Sequence, residues 1–300
     1  MSNSFEAGLA VSRARKPAMP LARALASIAL AWACVAPATP ANAQSEPAAV
    51  RYTVAVVPQF PASEIHRDWT PVLERLSRDT GLSLSLRIAE SVPRFEADFA
   101  AGGPDFVYLN PYHQILAMRA QGYQPLVRDA RLLTGILVVR NSDPIRSVKE
   151  LDGKEIAFPA PNALGASLWL RALLIEREKI TFSPVYVQTH SNVYRQVIRG
   201  KSAAGGGVNN TLAQERDEVR AEMRVLMETP GVAPHPLSAH PRVPARARQA
   251  LADALLHLGT DPTGQALLKD IQMPRPVRAD HARDYQPLEL YKLEKYVVRD

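Results

Sequence analysis

Three apolar runs with strand character end in polar or aromatic turns and pass into helices: D-F-V-Y-L-N-P-Y-H (105–113), E-I-A-F-P-A-P-N-A-L-G-A-S (155–167) and V-Y-V-Q-T-H-S-N-V-Y (185–194). A helix that begins in such a turn aims backbone N–H groups without intrahelical partners past the carboxyl end of the strand. α/β folds bind ligands there, and helix N-termini suit small anions. These turns are the candidate site.

Asn162, Ala163, Leu164, Gly165, Ala166 and Ser167 make the most open of them: Gly165 permits close backbone approach and Ser167 adds a hydroxyl. The competing reading is an ordinary helix capped by Asn162. His190 offers an imidazole that donates to an anion and titrates near neutrality, or else a polar cap beside Ser191 and Asn192. Tyr194 follows one turn on. Tyr108, Asn110, Tyr112 and His113 sit where another strand becomes a helix; the hydroxyls of Tyr108 and Tyr112 either face a ligand or belong to core aromatics with satisfied partners. Gln59, after Pro58, occupies a further strand end. In A-G-G-G-V-N-N-T (204–211) three glycines allow unusual backbone angles or a close approach, and Asn209 or Asn210 caps the next helix or lines a cleft. No G-K-[ST] follows, so this is not a phosphate-binding P-loop.

Other chemistries find little support. Ser167 is not in G-x-S-x-G, H-E-x-x-H is absent and no pair of carboxylates lies within the three turns, so no enzyme is predicted. Only Ser167 with His190 offers a nucleophile and base. His113, His190 and His235 are candidates to converge on zinc or manganese, but they lack metal-ligand spacing and acidic partners. No cofactor is implied, and no Lys/Arg run marks a nucleic-acid partner.

The elements around these turns alternate. Strands are expected at 51–57, 82–88 and 105–109, with helices at 69–81, 94–101 and 111–122, the last opened by Pro111 and closed by Gly122. T-G-I-L-V-V-R (134–140) is apolar throughout, as a strand buried on both faces would be. A second set follows: strands 155–158, 184–188, 204–208 and 222–227, and helices 164–178, 192–199 and 210–218. From 244 onward only helices are expected. The segment H-P-L-S-A-H-P (235–241) is read as a Pro-rich return whose histidines sit at a lobe junction. The fold class is α/β in two lobes, each a mostly parallel sheet flanked by helices, with a helical C-terminal tail. Lobe 1 is expected over 44–138 plus 231–300, and lobe 2 over 139–230.

Residues 1–43 read as a secretory signal peptide. Arg13, Arg15, Lys16 and Arg23 precede and enter the apolar run 21–36, and A-N-A at 41–43 supplies the cleavage pattern. An uncleaved anchor or a lipid on Cys34 are the alternatives. Cleavage after Ala43 leaves 257 residues without cysteine, Cys34 being the single one, and lowers the formal charge from +6 to +3. Such a chain is held by its core alone, which its length allows. Thiol catalysis and Cys-ligated metal are excluded.

Taken in order and spacing over roughly 50–295, V-A-V-V-P-Q-F, Y-L-N-P-Y-H, A-F-P-A-P-N-A-L-G-A-S, T-H-S-N-V-Y-R and A-G-G-G-V-N-N-T resemble the phosphate/phosphite/phosphonate solute-binding proteins of ABC transporters. The resemblance implies a monomeric periplasmic protein of the type II two-lobe kind that closes on a small oxyanion and delivers it to an inner-membrane permease. It places His190 at the family's ligand-contacting histidine. Two departures stand out. Many phosphonate binders present two or three consecutive hydroxyl residues where this chain has A-L-G-A-S, and an acidic residue where Ala203 or Ala204 stands. Both weaken the case for an aminoalkylphosphonate. A sensor subunit feeding a histidine kinase would use the same fold, and a metal-binding transport protein is the remote alternative.

Overall fold

The computed structural model describes residues 50–298; the expected signal peptide, its cleavage point and Cys34 lie outside them. The strands are β1 Arg51–Val56, β2 Ser83–Ile88, β3 Phe106–Tyr108, β4 Gln124–Asp129, β5 Gly135–Arg140, β6 Lys154–Phe158, β7 Phe182–Tyr186, β8 Ala204–Val208, β9 Met223–Glu228, β10 Pro236–Ala239 and β11 Pro276–Arg278. The helices are α1 Ala62–Thr80, α2 Val92–Ala100, α3 Pro111–Gln121, α4 Trp169–Glu176, α5 His190–Ile198, α6 Asn209–Gln214, α7 Asp217–Ala221, α8 Ala245–Leu258, α9 Pro262–Asp270 and α10 His281–Asp284. None of the helices among the described residues is long and apolar enough to cross a membrane.

Two sheets form. The first runs β11-β4-β10-β3-β1-β2, and the second β7-β6-β8-β5-β9. Each contains three parallel strands, β1 with β2 and β3, and β6 with β7 and β8; the remaining pairings are antiparallel. The chain passes from the first sheet to the second after β4 and returns before β10, and the two crossings meet in the antiparallel bridge Leu133–Val232. A boundary at 138/139 would cut through β5. That strand pairs along its whole length with β8 and β9, so the change of lobe comes before Gly135.

α1 begins seven residues earlier than the expected 69–81. Its buried stripe of Ile65, Trp69, Val72, Leu73 and Leu76 keeps helical spacing, while the polar first turns hide the start; Gly81 closes it at φ +72°. α3 follows its punctuation, with Asn110 as N-cap, Pro111 in the first turn and Gly122 at φ +74°. β4 escapes sequence reading because Pro125 and Asp129 are poor strand residues. The expected return segment 235–241 instead carries β10, which enters the middle of the first sheet between β3 and β4. Nor is the tail wholly helical: β11 pairs antiparallel with β4 at the sheet's edge, where Pro276 has no N–H to lose.

Helix 164–178 is not continuous either. Residues Leu164–Leu168 form one wide π-type turn, in which the Ser167 and Leu168 amides both donate to Ala163 O, at 2.9 and 3.0 Å, before α4 begins. The glycines explain this turn's seat. A Cβ on Gly206 of β8 would lie 1.9 Å from Ala166 O, and one on Gly135 of β5 would lie 2.2 Å from Gly165 O. The turn therefore rests directly on the sheet backbone. Gly205, Gly206 and Gly207 keep ordinary strand angles, so close approach and not unusual φ is what they provide.

The first sheet packs on α1 and α8 through Val54, Phe106, Trp69, Leu76 and Leu251; the second has its own core of Leu137, Ile156, Phe158, Leu170 and Leu174. A third cluster joins them. Tyr112 and Ile115 of α3 meet Leu164, Leu168 and Trp169, with Tyr285, Leu288 and Leu293 of the C-terminal segment completing it.

Candidate functional site

The loops after β1, β3, β6 and β7, the last residue of β8 and the residue that enters β10 converge on one small cavity of about 30 Å³. That is roughly twice the space one water needs, so it suits an ion of a few heavy atoms. Gln59, Asn110, His113, Gln188, His190 and His235 supply its polar walls; Val57, Val92, Leu133, Pro159, Ala160 and Val208 supply apolar ones, and Ala163–Ala166 complete it. No Asp, Glu, Lys or Arg is among its walls.

Several of these polar groups are held from behind. The Leu164, Gly165 and Ala166 amides open the π-type turn, and none donates to an acceptor among the described residues. Arg171, on α4, ties both ends of this loop: its Nε donates to Ser167 Oγ at 3.2 Å and its Nη2 to Pro161 O at 2.7 Å and Tyr296 O at 2.8 Å. Arg171 is 7 % exposed and pairs with no carboxylate among the described residues. Burial holds its pKa below the usual guanidinium value. A buried, uncompensated cation behind a row of amides favours an anion in front of them.

Asn110 caps α3 by accepting from the His113 amide at 2.9 Å, and its Nδ2 lies 3.0 Å from His113 Nδ1. His113 Nε2 lies 2.8 Å from Glu96 Oε1. Hydrogen bonding to His113 and Asn162 keeps the Glu96 carboxyl below its usual range although burial opposes this. His190 begins α5, capped by Thr189, with Nδ1 3.1 Å from Thr211 Oγ1. His235 stacks on Tyr108, with centroids 5.4 Å apart, and its ring nitrogens bond to no group among the described residues. Burial pushes both His190 and His235 down to about 3. Gln188 adopts φ +73°, a conformation that costs an ordinary residue of order 1–2 kcal/mol, and turns the chain from β7 into the cavity wall.

Of the residues singled out from sequence, Gln59, Asn110, His113, Ala163, Leu164, Gly165, Ala166 and His190 line the cavity. The others do not. Tyr108 is buried and its hydroxyl donates to Ile271 O at 3.3 Å. Tyr112 lies in the cluster between the sheets. Asn162 exchanges two hydrogen bonds of 3.1 Å with the backbone of Val298. Ser167 accepts from Arg171. Tyr194 is fully buried, with its hydroxyl 2.8 Å from Thr211 Oγ1. Asn209 braces the crossing strand, accepting from Thr134 N at 3.2 Å and donating to Leu132 O at 3.1 Å. Two wall residues are absent from the expected anion-binding set: His235, which sequence placed only at a lobe junction and among the histidines that could converge, as His113, His190 and His235 do here, and Gln188. Nothing local marks His235 as a wall residue, because β10 reaches the cleft only by its long-range pairing. Gln188 carries no signal of its positive φ.

A second hollow of about 420 Å³ shares Val92, Pro159, Ala160 and Gln188 with the cavity. Five prolines, Phe60, Ile88 and Tyr186 wall it, and Glu90 is its single charged wall residue.

The sequence pattern of the family described as "ABC transporter, phosphonate, periplasmic substrate-binding protein" matches residues 54–285. The chain belongs to that family. The phosphate-import protein PhnD of Mycolicibacterium smegmatis is 22 % identical over 236 residues, which is 71 % of this chain and 74 % of that protein. PhnD1 of Prochlorococcus marinus, solved in complex with methylphosphonate, superposes with a TM-score of 0.74 at 14 % identity, over 82 % of this chain and 98 % of that one. A binding-protein component of an ABC phosphonate transporter from Pseudomonas aeruginosa gives the same TM-score at 13 % identity, over 82 % and 86 % of the two chains.

Proposed function

We propose that this solute-binding protein captures a small phosphorus oxyanion (phosphonate, phosphite or phosphate) as a monomer in the periplasm, after removal of residues 1–43, and presents it to an ABC permease. The carrying observation is the small cavity between the lobes, with three amides free to donate, Asn110 and two buried imidazoles around it, and Arg171 behind the loop. The relatives' imported phosphate and bound methylphosphonate support the same class. The apolar walls of the adjoining hollow leave room for P–H or P–alkyl substituents.

The site binds without turning its ligand over. Ser167, the one candidate nucleophile, bonds to Arg171 and lies outside the cavity walls. A hydrolase would also need a base beside it.

Thermal unfolding in phosphate-free buffer, after refolding to strip carried-over ligand, tests this against phosphite, hypophosphite, methylphosphonate, aminoethylphosphonate, phosphate and sulfate. A ligand at about a hundredfold over Kd adds roughly 2.7 kcal/mol, a midpoint shift of roughly 5–10 °C at this size. A selective shift with one phosphorus anion is expected. A flat panel sinks the assignment of ligand class.

A further inference from the structure

The cavity confronts an anion with amides and imidazoles but with no cation among its walls. His113 has no nitrogen to spare. Because Asn110 Oδ1 accepts from the His113 amide, its Nδ2 faces the ring and donates to Nδ1, which leaves the ring proton on Nε2 and pointed at Glu96 Oε1. His190 and His235 differ. His190 bonds through Nδ1 alone, and His235, 6 % exposed, bonds through neither nitrogen to any described residue.

The charged groups nearby leave these two rings uncompensated. Glu96 is engaged by His113, Asp129 by Arg131 and the Arg275 amide, and Arg171 by the loop it ties. Glu215 and Asp129 act on Tyr194 and Tyr108, not on either imidazole. Burial alone lowers His190; for His235 the other two imidazoles add to it. An anion in the cavity reverses that balance, since it is the counter-charge that a protonated ring lacks.

We propose that the site takes its oxyanion together with one proton, shared between the anion and His190 or His235, so that anion plus proton is the captured unit. This rests on the phosphorus-oxyanion reading above. By linkage, affinity for the total anion falls about tenfold per pH unit once the free anion has lost its last proton.

Titration calorimetry of the protein with methylphosphonate and with phosphate, at about pH 6 and about pH 8.5 in buffers of different ionisation enthalpy, reads the protons exchanged. The expected result at the higher pH is uptake of about one proton per anion bound. His190→Gln and His235→Gln, each checked for an intact unfolding transition, separate the rings: the variant lacking the proton-holding ring shows no uptake and a flattened pH profile, which a merely structural role would not produce. Tight binding without proton uptake at the higher pH overturns this proposal and leaves the ligand class standing. Absence of binding by any phosphorus anion at either pH overturns the ligand class, and this proposal with it.

Discussion

His190 and His235 are the residues whose environment departs furthest from what their type suggests. An imidazole ordinarily titrates near 6.5, yet burial holds both neutral down to about 3. Between those values the unfolded chain binds more protons than the folded one, so the stability of the ligand-free protein rises with pH through that window and is lost as pH falls. From pH 7 down to pH 5 each ring contributes a loss of about 2 kcal/mol. Glu96 and Asp105 are held below their usual carboxylate range, so in the folded protein they stay ionised between about pH 5 and pH 7 and do not mask the difference. Urea unfolding at pH 5 and pH 7 should show the difference, and His235→Gln should remove about half of it. Equal stability at the two pH values would mean that both rings are hydrated. Type and position made His190 legible from sequence; His235 was legible only as a histidine near a junction.

At the scale of elements, the binding loop depends on what lies beneath it. The π-type turn Leu164–Leu168 sits on β5 and β8 because Gly135 and Gly206 present no side chain to it. Gly206→Ala should drive a methyl group against Ala166 O and the Phe158 ring, displacing the turn. A loss of about 1–3 kcal/mol in stability is expected, together with at least about tenfold weaker binding, because the amides lose their common aim. Thermal unfolding and calorimetry on the same sample check both; unaltered affinity would show that the turn does not position the ligand. The three glycines were visible in sequence, but their purpose was not, since a strand's run of glycine does not reveal what approaches it.

At the scale of the whole molecule, the two lobes are in contact around the cavity. The His190 amide donates to Gln59 O at 3.2 Å, and Gln59 Nε2 donates to Gln272 Oε1 at 3.0 Å. Gln272, at φ +63°, donates in turn to Gln214 Oε1 at 2.6 Å, and Gln214 Nε2 reaches the carbonyls of Lys269 and Asp270 at the end of α9. This amide relay fastens α6 of one lobe to α9 of the other. Gln214 is exposed but accepts from the buried Gln272, so Gln214→Ala should cost about 1 kcal/mol of unfolding stability. It should speed ligand release about five- to tenfold, the equivalent of one net hydrogen bond. Stopped-flow release of bound anion reads this, and an unaltered rate would exclude the relay as a closure latch.

Local pattern determined much of this protein by itself. Strand periodicity, the Asn110-Pro111 start and Gly122 stop of α3, and the succession of strand-end turns depend on neighbours a few residues apart, so they could be read in order along the chain. The turns that hold Gln59, Asn110, Ala163–Ala166 and His190 were found for the same reason. Only the tertiary structure decided which side chains face the cavity. Tyr108, Tyr112, Ser167 and Tyr194 have the right chemistry and stand in or beside the right turns, but partners 17 to 163 residues away at Thr211 and Ile271, the packing between lobes and the Arg171 guanidinium turn them inward. His235 is the converse case: β10, running antiparallel between β3 and β4, delivers an imidazole to the cleft from far along the chain. Long-range pairing and burial are properties of the assembled sheets, and no short window of sequence contains them.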